Sequence, residues 1–572
     1  MKRLTVLARR SALVAIAVAA IGTTAASSAL GGAREKSDKP LQKIDHIVVI
    51  YEENHSFDNL YGGWEGVNGR ANADAAHTVQ IGQSGVPYAC LRMNDVNLAS
   101  PPLAPTCADA TTATPFASHF VNAPFLIDNY LSPSDTTCPP NPLLAFSSSN
   151  GFAKGTGSPG GCTRDLVHKF YQEQYQLNGG QQNRYTTGSD AVGLTQGTYD
   201  TQALPIYEYL HVPNHVHYAI ADDFFQSAFG GSFLNHQWLI AARTPDWPGI
   251  LATQHSIVDV NGFPNASYPL YHPATPVRDA GGAVACPSPV AGLACGDYAV
   301  NTTQPAYQPS GAFGAKIPAQ TNPTIGDRLN AAGVDWAWYA GGWSNANGDV
   351  GAPGWTNGNG PTCSDPYADP IVSSYPRCPN NVFQYHHQPF NYYAAFNPST
   401  ASGLANRTAH LKDEQEFIQL ANASATDCGL KAVSFIKPFG TENEHPGYAS
   451  EPGGSDHLVA LLQAIEGGAC AKNTMVIVTY DEFGGQWDHV SPPGQGGTTG
   501  PHDQWGPGTR IPALIVSPFL HGNFVVDHTQ YDTTSILATI EHRYGLAPLS
   551  TRDAAVNDLS NVFAAKQHEA AG

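Results

Sequence analysis

Two acidic clusters far apart in the chain, Glu52-Glu53-Asn54 and Asp481-Glu482, carry the strongest chemical signal. Each ends an apolar run of buried-strand length, Ile47-Val48-Val49-Ile50-Tyr51 in one case and Met475-Val476-Ile477-Val478-Thr479-Tyr480 in the other. In open α/β sheets, ligands bind beyond the carboxyl ends of the strands. Two such strands side by side would bring Glu53, Asn54, Asp481 and Glu482 to one place. Like carboxylates ~4 Å apart repel by about 4 kcal/mol at an effective dielectric of ~20. A cation has to offset that repulsion. An oxygen-rich donor set suits one hard divalent ion, with Mg, Mn, Ca and Fe all left open. Either cluster alone reads as an acidic surface turn; together, at two strand ends, they favour a shared site.

Gly230-Gly231-Ser232 opens a helical pattern, Ser-Phe-Leu-Asn-His-Gln-Trp-Leu-Ile-Ala-Ala-Arg over 232–243. Ser232 has two readings that the residues leave open. It caps the helix, or it is a nucleophile whose oxygen gains from backbone N–H groups and the helix dipole and from a nearby metal. Five histidines sit among polar or glycine-rich residues: His168, His386, His387, His445 and His489. Any one alone reads more readily as structural or exposed than as catalytic. His445 follows a predicted strand and so falls at the same sheet edge as the acids. His489 follows Asp481-Glu482 within the run Phe483-Gly484-Gly485-Gln486-Trp487-Asp488 and is expected to reach the site.

These residues need a scaffold, and the C-terminal third shows its rhythm. Strands are predicted over 432–436, 474–480 and 512–516. A helix carries Leu458, Leu461, Leu462 and Ile465, and a last helix runs from an Asp532 cap to Gly545. Further helices are expected near 164–176 (carrying His168), from Leu204-Pro205 and over 325–332, with strands at 44–51 and 334–339. Alternating strands and helices predict an α/β fold with a mainly parallel central sheet flanked by helices. The expected organisation is a single catalytic domain over 40–572, with loop insertions near 65–165, 255–320 and 341–380. Only 13% of residues are charged, against 57 Gly and 44 Pro, which reads as globular with long ordered loops.

The net charge of −19 disfavours nucleic acid and anionic membranes as partners. Basic residues, a short apolar run over 11–21 and Ser27-Ser28-Ala29 read as a signal peptide over 1–29 rather than a stable membrane anchor. An exported chain is consistent with its ten cysteines, for which nearest-neighbour pairing is the expectation: Cys90 with Cys107, Cys138 with Cys162, Cys286 with Cys295, Cys363 with Cys378, Cys428 with Cys470.

The segments Asp45-His46-Ile47-Val48-Val49-Ile50-Tyr51-Glu52-Glu53-Asn54-His55-Ser56-Phe57-Asp58-Asn59, Gly230 to His236, Thr479 to Pro493 and Val526 to Ile536 together resemble the bacterial phosphoesterase family of secreted acid phosphatases and phosphatidylcholine-type phospholipases C. The resemblance implies an alkaline phosphatase-like fold. It implies one metal held by Glu53, Asn54, Ser232, Asp481 and Glu482, with Ser232 as nucleophile. It also implies phosphoryl-contacting histidines near His168, His386 or His387, and His445. Phe483 stands where many relatives have His. Gly197 to Pro205, Ser232 in place of the phospholipase threonine, and Tyr385-His386-His387-Gln388-Pro389-Phe390 look closer to the acid phosphatases. The expected function is a metal-dependent phosphomonoesterase acting through phosphoserine on a small phosphate ester. The alternatives are a phospholipase C acting at a phospholipid headgroup and a secreted binding protein without chemistry.

Overall fold

The computed structural model describes residues 39–565 apart from 141–149, 214, 216, 260, 266–267, 276, 289–291, 308–314, 357–382 and 424–425. The expected signal peptide, Cys363, Cys378 and most of the 341–380 insertion lie outside the described residues. Contacts gather Lys39–Gly572 into one unit.

Its centre is an eight-stranded sheet. In chain order the strands are β1 (His46–Glu52), β2 (Tyr218–Ala221), β3 (Trp336–Ala340), β4 (Leu411–Asp413), β5 (Val433–Lys437), β6 (Thr474–Tyr480), β7 (Ala513–Val516) and β8 (Phe524–Asp527). Their order across the sheet is β4-β3-β5-β1-β6-β7-β2-β8. All neighbours are parallel except β7, which runs against both β6 and β2. The central strands are mostly apolar because both faces are covered. Every residue of β5 and β6 is buried, as expected for a parallel sheet between helical layers. Ile47, Val49, Val476, Ile477 and Phe435 join one continuous core with Leu458, Leu461, Leu462, Ile536 and Ile540 from the helices.

The register of β1 on β6 has a direct consequence. Glu52 lies opposite Tyr480, so Glu53-Asn54 and Asp481-Glu482 leave the sheet side by side. On the other flank Ile50 lies opposite Ile436, which brings Lys437 beside Tyr51.

Several elements differ from expectation. The helix α1 begins only at Phe170 and ends at Leu177. Arg164 is pulled aside by ion pairs to Asp190 and Asp95, and His168 Nδ1 turns back onto the Leu166 carbonyl at 2.5 Å, so His168 precedes the helix. Strands β2 and β8 have four residues each, too short for an alternation pattern to declare itself. The last helix, Thr534–Tyr544, has Thr533 at its cap position. Asp532 still serves it by accepting from the Thr534 N–H at 2.6 Å, and Gly545 ends it in the left-handed region. Four of the expected cysteine pairs are joined: Cys90–Cys107, Cys138–Cys162, Cys286–Cys295 and Cys428–Cys470.

Candidate active site

Ser232 is the first residue of helix α2 (Ser232–Ala241), whose cap position is Gly231. Its hydroxyl makes no capping bond and points instead at the ends of β1 and β6. Oγ lies 3.2 Å from Glu53 Oε2, 3.4 Å from Asn54 Oδ1 and 3.4 Å from Glu482 Oε1. A hydroxyl has one proton to donate, yet three acceptors crowd it. Oxygens 2.0–2.6 Å from a common cation and at right angles to one another stand about 3–3.6 Å apart. The three distances from Ser232 Oγ match the separation of neighbouring ligands in a coordination sphere. Asp481 completes the set: Oδ1 accepts from the Asn54 and Glu482 N–H groups at 3.2 and 2.8 Å, while Oδ2 is buried without a hydrogen bond. This donor chemistry fits a divalent ion.

The turn that aims Ser232 is braced from behind. Glu173 Oε2 accepts from the Gly230 N–H at 2.5 Å and from Gln226 Nε2 at 2.9 Å. Gln226 Oε1 in turn accepts from the Phe483 N–H at 2.9 Å. Phe483, where many relatives of the resembled family have His, thus serves here through its backbone. Asn54 has a left-handed φ of 58°, a conformation that Asn tolerates better than most residues.

Burial dominates the electrostatics. It pushes the Glu53 carboxyl up to about 8, reinforced by Asp481 and opposed by Lys437. It also raises Asp481, against the pull of Lys437, and raises Glu482 well above the usual range, with Asp481 adding to the effect. These acids hold protons readily unless another cation replaces them.

The histidines divide. His387 Nε2 lies 3.1 Å from Glu53 Oε1, with His386 edge-on to its ring at 4.5 Å. His168 Nε2 lies 3.4 Å from Glu482 Oε1. His445 Nε2 accepts from Asn54 Nδ2 at 2.9 Å, while Nδ1 faces the Pro446 carbonyl at 2.6 Å. That bond fixes the Asn54 amide so that Oδ1 faces Ser232. Burial holds His387 and His445 well below the ordinary imidazole range, so both are neutral near pH 7. His489 is the exception. Its Nδ1 lies 2.5 Å from Asp58 Oδ2 and its Nε2 3.3 Å from Asn68 Oδ1, in a separate cluster with Asp488. Adjacency to Asp481-Glu482 in the chain does not bring it among the oxygens around Ser232, because the Gly484-Gly485 turn, with φ of 63° and 75°, redirects the chain.

Two residues of the site were not foreseen. Lys437 is buried at the end of β5 and donates to the Tyr51 and Glu52 carbonyls at 2.9 and 3.3 Å and to Glu53 Oε1. His236 stacks on His387, with ring centroids 5.0 Å apart, and its Nδ1 lies 2.8 Å from the Ser232 carbonyl. Each left a trace in the sequence: a lysine closing a buried strand, and a histidine one helical turn after Ser232.

The model of the phosphoesterase family matches residues 44–547, so the chain belongs to that family and is a phosphoester hydrolase. It is 24% identical over 552 residues to phospholipase C A of Mycobacterium tuberculosis, covering 91% of this chain and 78% of that one. It is 34% identical over 157 residues to phospholipase C B of the same organism, covering 23% and 29%. The non-hemolytic phospholipase C of Pseudomonas aeruginosa matches at 27% over 162 residues, 23% of each chain. A 2-O GAG sulfatase structure overlaps 66% of this chain and 72% of its own at 12% identity, with a TM-score of 0.25, too loose to define a shared superfamily.

Proposed function

We propose that the chain is an exported, metal-dependent phosphomonoesterase with an alkaline phosphatase-like catalytic domain, using Ser232 as nucleophile. The observation that carries this reading is the Ser232 hydroxyl set among Glu53, Asn54 and Glu482 at 3.2–3.4 Å. A divalent ion bound by Glu53, Asn54, Asp481, Glu482 and Ser232 would lower the hydroxyl pKa and offset carboxylate and phosphoryl charge.

Ser232 Oγ attacks phosphorus in line with the leaving alkoxide. The Oγ–P bond forms, the P–O bond to the alcohol breaks, and water hydrolyses the phosphoserine in the reverse geometry. His386 and His387 flank the phosphoryl oxygens. His168, its side chain 18% exposed against 6% for His387, is the group placed to hand a proton to the departing alcohol. It lines a cavity of about 400 Å³ together with Gly231, Asp165, Lys169 and Asn301, where the alcohol part of the substrate would sit. That volume is at the low end of ligand pockets, which favours a small monoester. A phospholipase C acting at a lipid headgroup is the second reading, supported by the names of the relatives above. The four disulfides among the described residues support export. Among the described residues, no helix is long and apolar enough to cross a membrane.

Ser232→Ala is expected to cut turnover of an aryl phosphate by on the order of 10³-fold or more, while metal content measured by mass spectrometry stays near the wild-type ratio. Undiminished turnover ends the nucleophile assignment. Release of phosphate from monoesters without diglyceride from phosphatidylcholine supports the monoesterase; the opposite pattern supports the lipase.

A further inference from the structure

The two loops that carry the site part from each other where the ladder between β1 and β6 stops, at Glu52 and Tyr480. Beyond that point no sheet bond holds residues 53–60 against 481–489. Near the site the Asn54 N–H reaches Asp481 Oδ1 at 3.2 Å, and Ser56 bonds Gln486 Oε1 and the Trp487 carbonyl at 3.4 and 2.7 Å. The charged link between the loops is a buried polar knot five residues past Glu53 and six past Glu482. Its centre is Arg510, fully buried, on the segment leading into β7. Because β7 is antiparallel, that segment lies at the carboxyl end of β1 and β6, the edge that carries the site.

Every guanidinium N–H of Arg510 is used. Nε and one terminal nitrogen donate to Asp488 at 3.2 Å, and the same terminal nitrogen donates to Asp58 Oδ1 at 3.2 Å. The other donates to the Asn68 and Asp222 carbonyls, each at 2.7 Å. The Arg510 carbonyl accepts from the Phe57 N–H at 3.0 Å, and the guanidinium lies 4.3 Å from the Phe57 ring centroid. Asp488 Oδ2 accepts from the Asp58 N–H at 3.0 Å, and Asp58 Oδ2 takes the N–H and ring of His489. Asp58, Asp488 and His489 have the composition of a metal site, but the arginine and backbone donors already occupy all four carboxylate oxygens.

We propose that Arg510 is the positioning residue of the metal centre. Its planar fork sets the separation of the Glu53-Asn54 loop from the Asp481-Glu482 loop and so the size of the oxygen cage. This inference rests on the metal reading above. Lysine cannot replace it, since one ammonium cannot span two carboxylates and two carbonyls in a fixed plane. Residues behind metal ligands typically shift affinity by about 10–100-fold when changed.

The test uses the full-length protein stripped with chelator and titrated with Mn²⁺ by calorimetry, for wild type, Arg510→Lys and Asp488→Asn, with circular dichroism reporting fold. Expected are folded variants that bind Mn²⁺ at least about 10-fold more weakly. At saturating Mn²⁺ their kcat on an aryl phosphate should return to within a few-fold of wild type, with KM unchanged. If Arg510→Lys does not fold, Asp488→Asn, which keeps shape and removes one charge, decides. A folded variant with wild-type Mn²⁺ affinity overturns the proposal and leaves the metal reading standing. A wild type that takes up none of Mn²⁺, Mg²⁺, Ca²⁺ and Fe²⁺ in the same titration overturns both.

Discussion

Lys437 is the residue on which the charge balance of the site turns. Glu53, Asp481 and Glu482 are fully buried within reach of one hydroxyl, and the Lys437 ammonium touches Glu53 Oε1. Even so, Glu53 is pushed up to about 8, so at pH 6 a metal ion has to displace a proton from it. Replacing the lysine by methionine removes the contact that opposes this rise and makes the proton harder to displace. For Lys437→Met, Mn²⁺ affinity at pH 6 should fall by about tenfold relative to wild type, since each pKa unit is about 1.4 kcal/mol. At pH 9 the two proteins should differ much less, and calorimetry at the two pH values measures the difference. Equal or tighter binding by the variant at pH 6 would show that Lys437 acts chiefly by repelling the ion.

At the level of elements, the site depends on turns that no side chain could make. Gly484 has φ 63°, and a Cβ there would come within 2.3 Å of the Asn54 carbonyl. Gly545, at the end of the last helix, has φ 66° and open space around it. Gly484→Ala should therefore lose both stability and metal affinity, with thermal denaturation showing a cost of ~2–3 kcal/mol or more. Gly545→Ala should cost only ~1 kcal/mol and leave turnover unchanged; matching effects from the two substitutions would contradict the close-approach argument. These turns also mark where the sequence was legible. β1 and β6 announced themselves because both faces are covered and the apolar run stops at acids. Glu53, Asn54, Asp481 and Glu482 were named from that pattern and Ser232 from the Gly230-Gly231 helix start, and the structure brings them together. Lys437 could not be read this way, since the register between β5 and β1 is what gives it a partner. His489 looked close to the site only in the chain, and the two glycines before it turn it toward Asp58. His168 was assigned to a helix because local propensity cannot register the distant partners of Arg164, Asp190 and Asp95.

Across the whole molecule, buried acids set how stability follows pH. Burial pushes Glu53, Glu444, Glu451 and Asp95 each up to about 8, against about 4 in the unfolded chain. From pH 4 to 8 the folded state therefore holds protons that the unfolded state has lost, so their contribution is fully present at low pH and declines as pH rises. The site histidines act in the other direction. His236, His387 and His445 are held neutral by burial, and they cost stability only below about pH 6.5, where the unfolded imidazole gains a proton. Between pH 6.5 and 8 the acids are joined by His211 and His457, which Glu65 and Glu414, acting against burial, raise above the ordinary imidazole value. Both sets lose stabilisation as pH rises. The chelator-treated protein should lose thermal stability across that interval. A divalent ion that replaces the protons on Glu53 and its neighbours should restore part of it, by about 2.7 kcal/mol at a hundred times Kd. Because protons compete with the ion, the stabilisation at fixed metal concentration should be larger at pH 8 than at pH 6.5. Scanning calorimetry with and without Mn²⁺ at the two pH values measures both effects. A Tm that rises with pH in chelator would contradict the buried-acid account, and a metal increment that shrinks toward pH 8 would mean that the buried carboxylates at the ends of β1 and β6 are not where the ion binds.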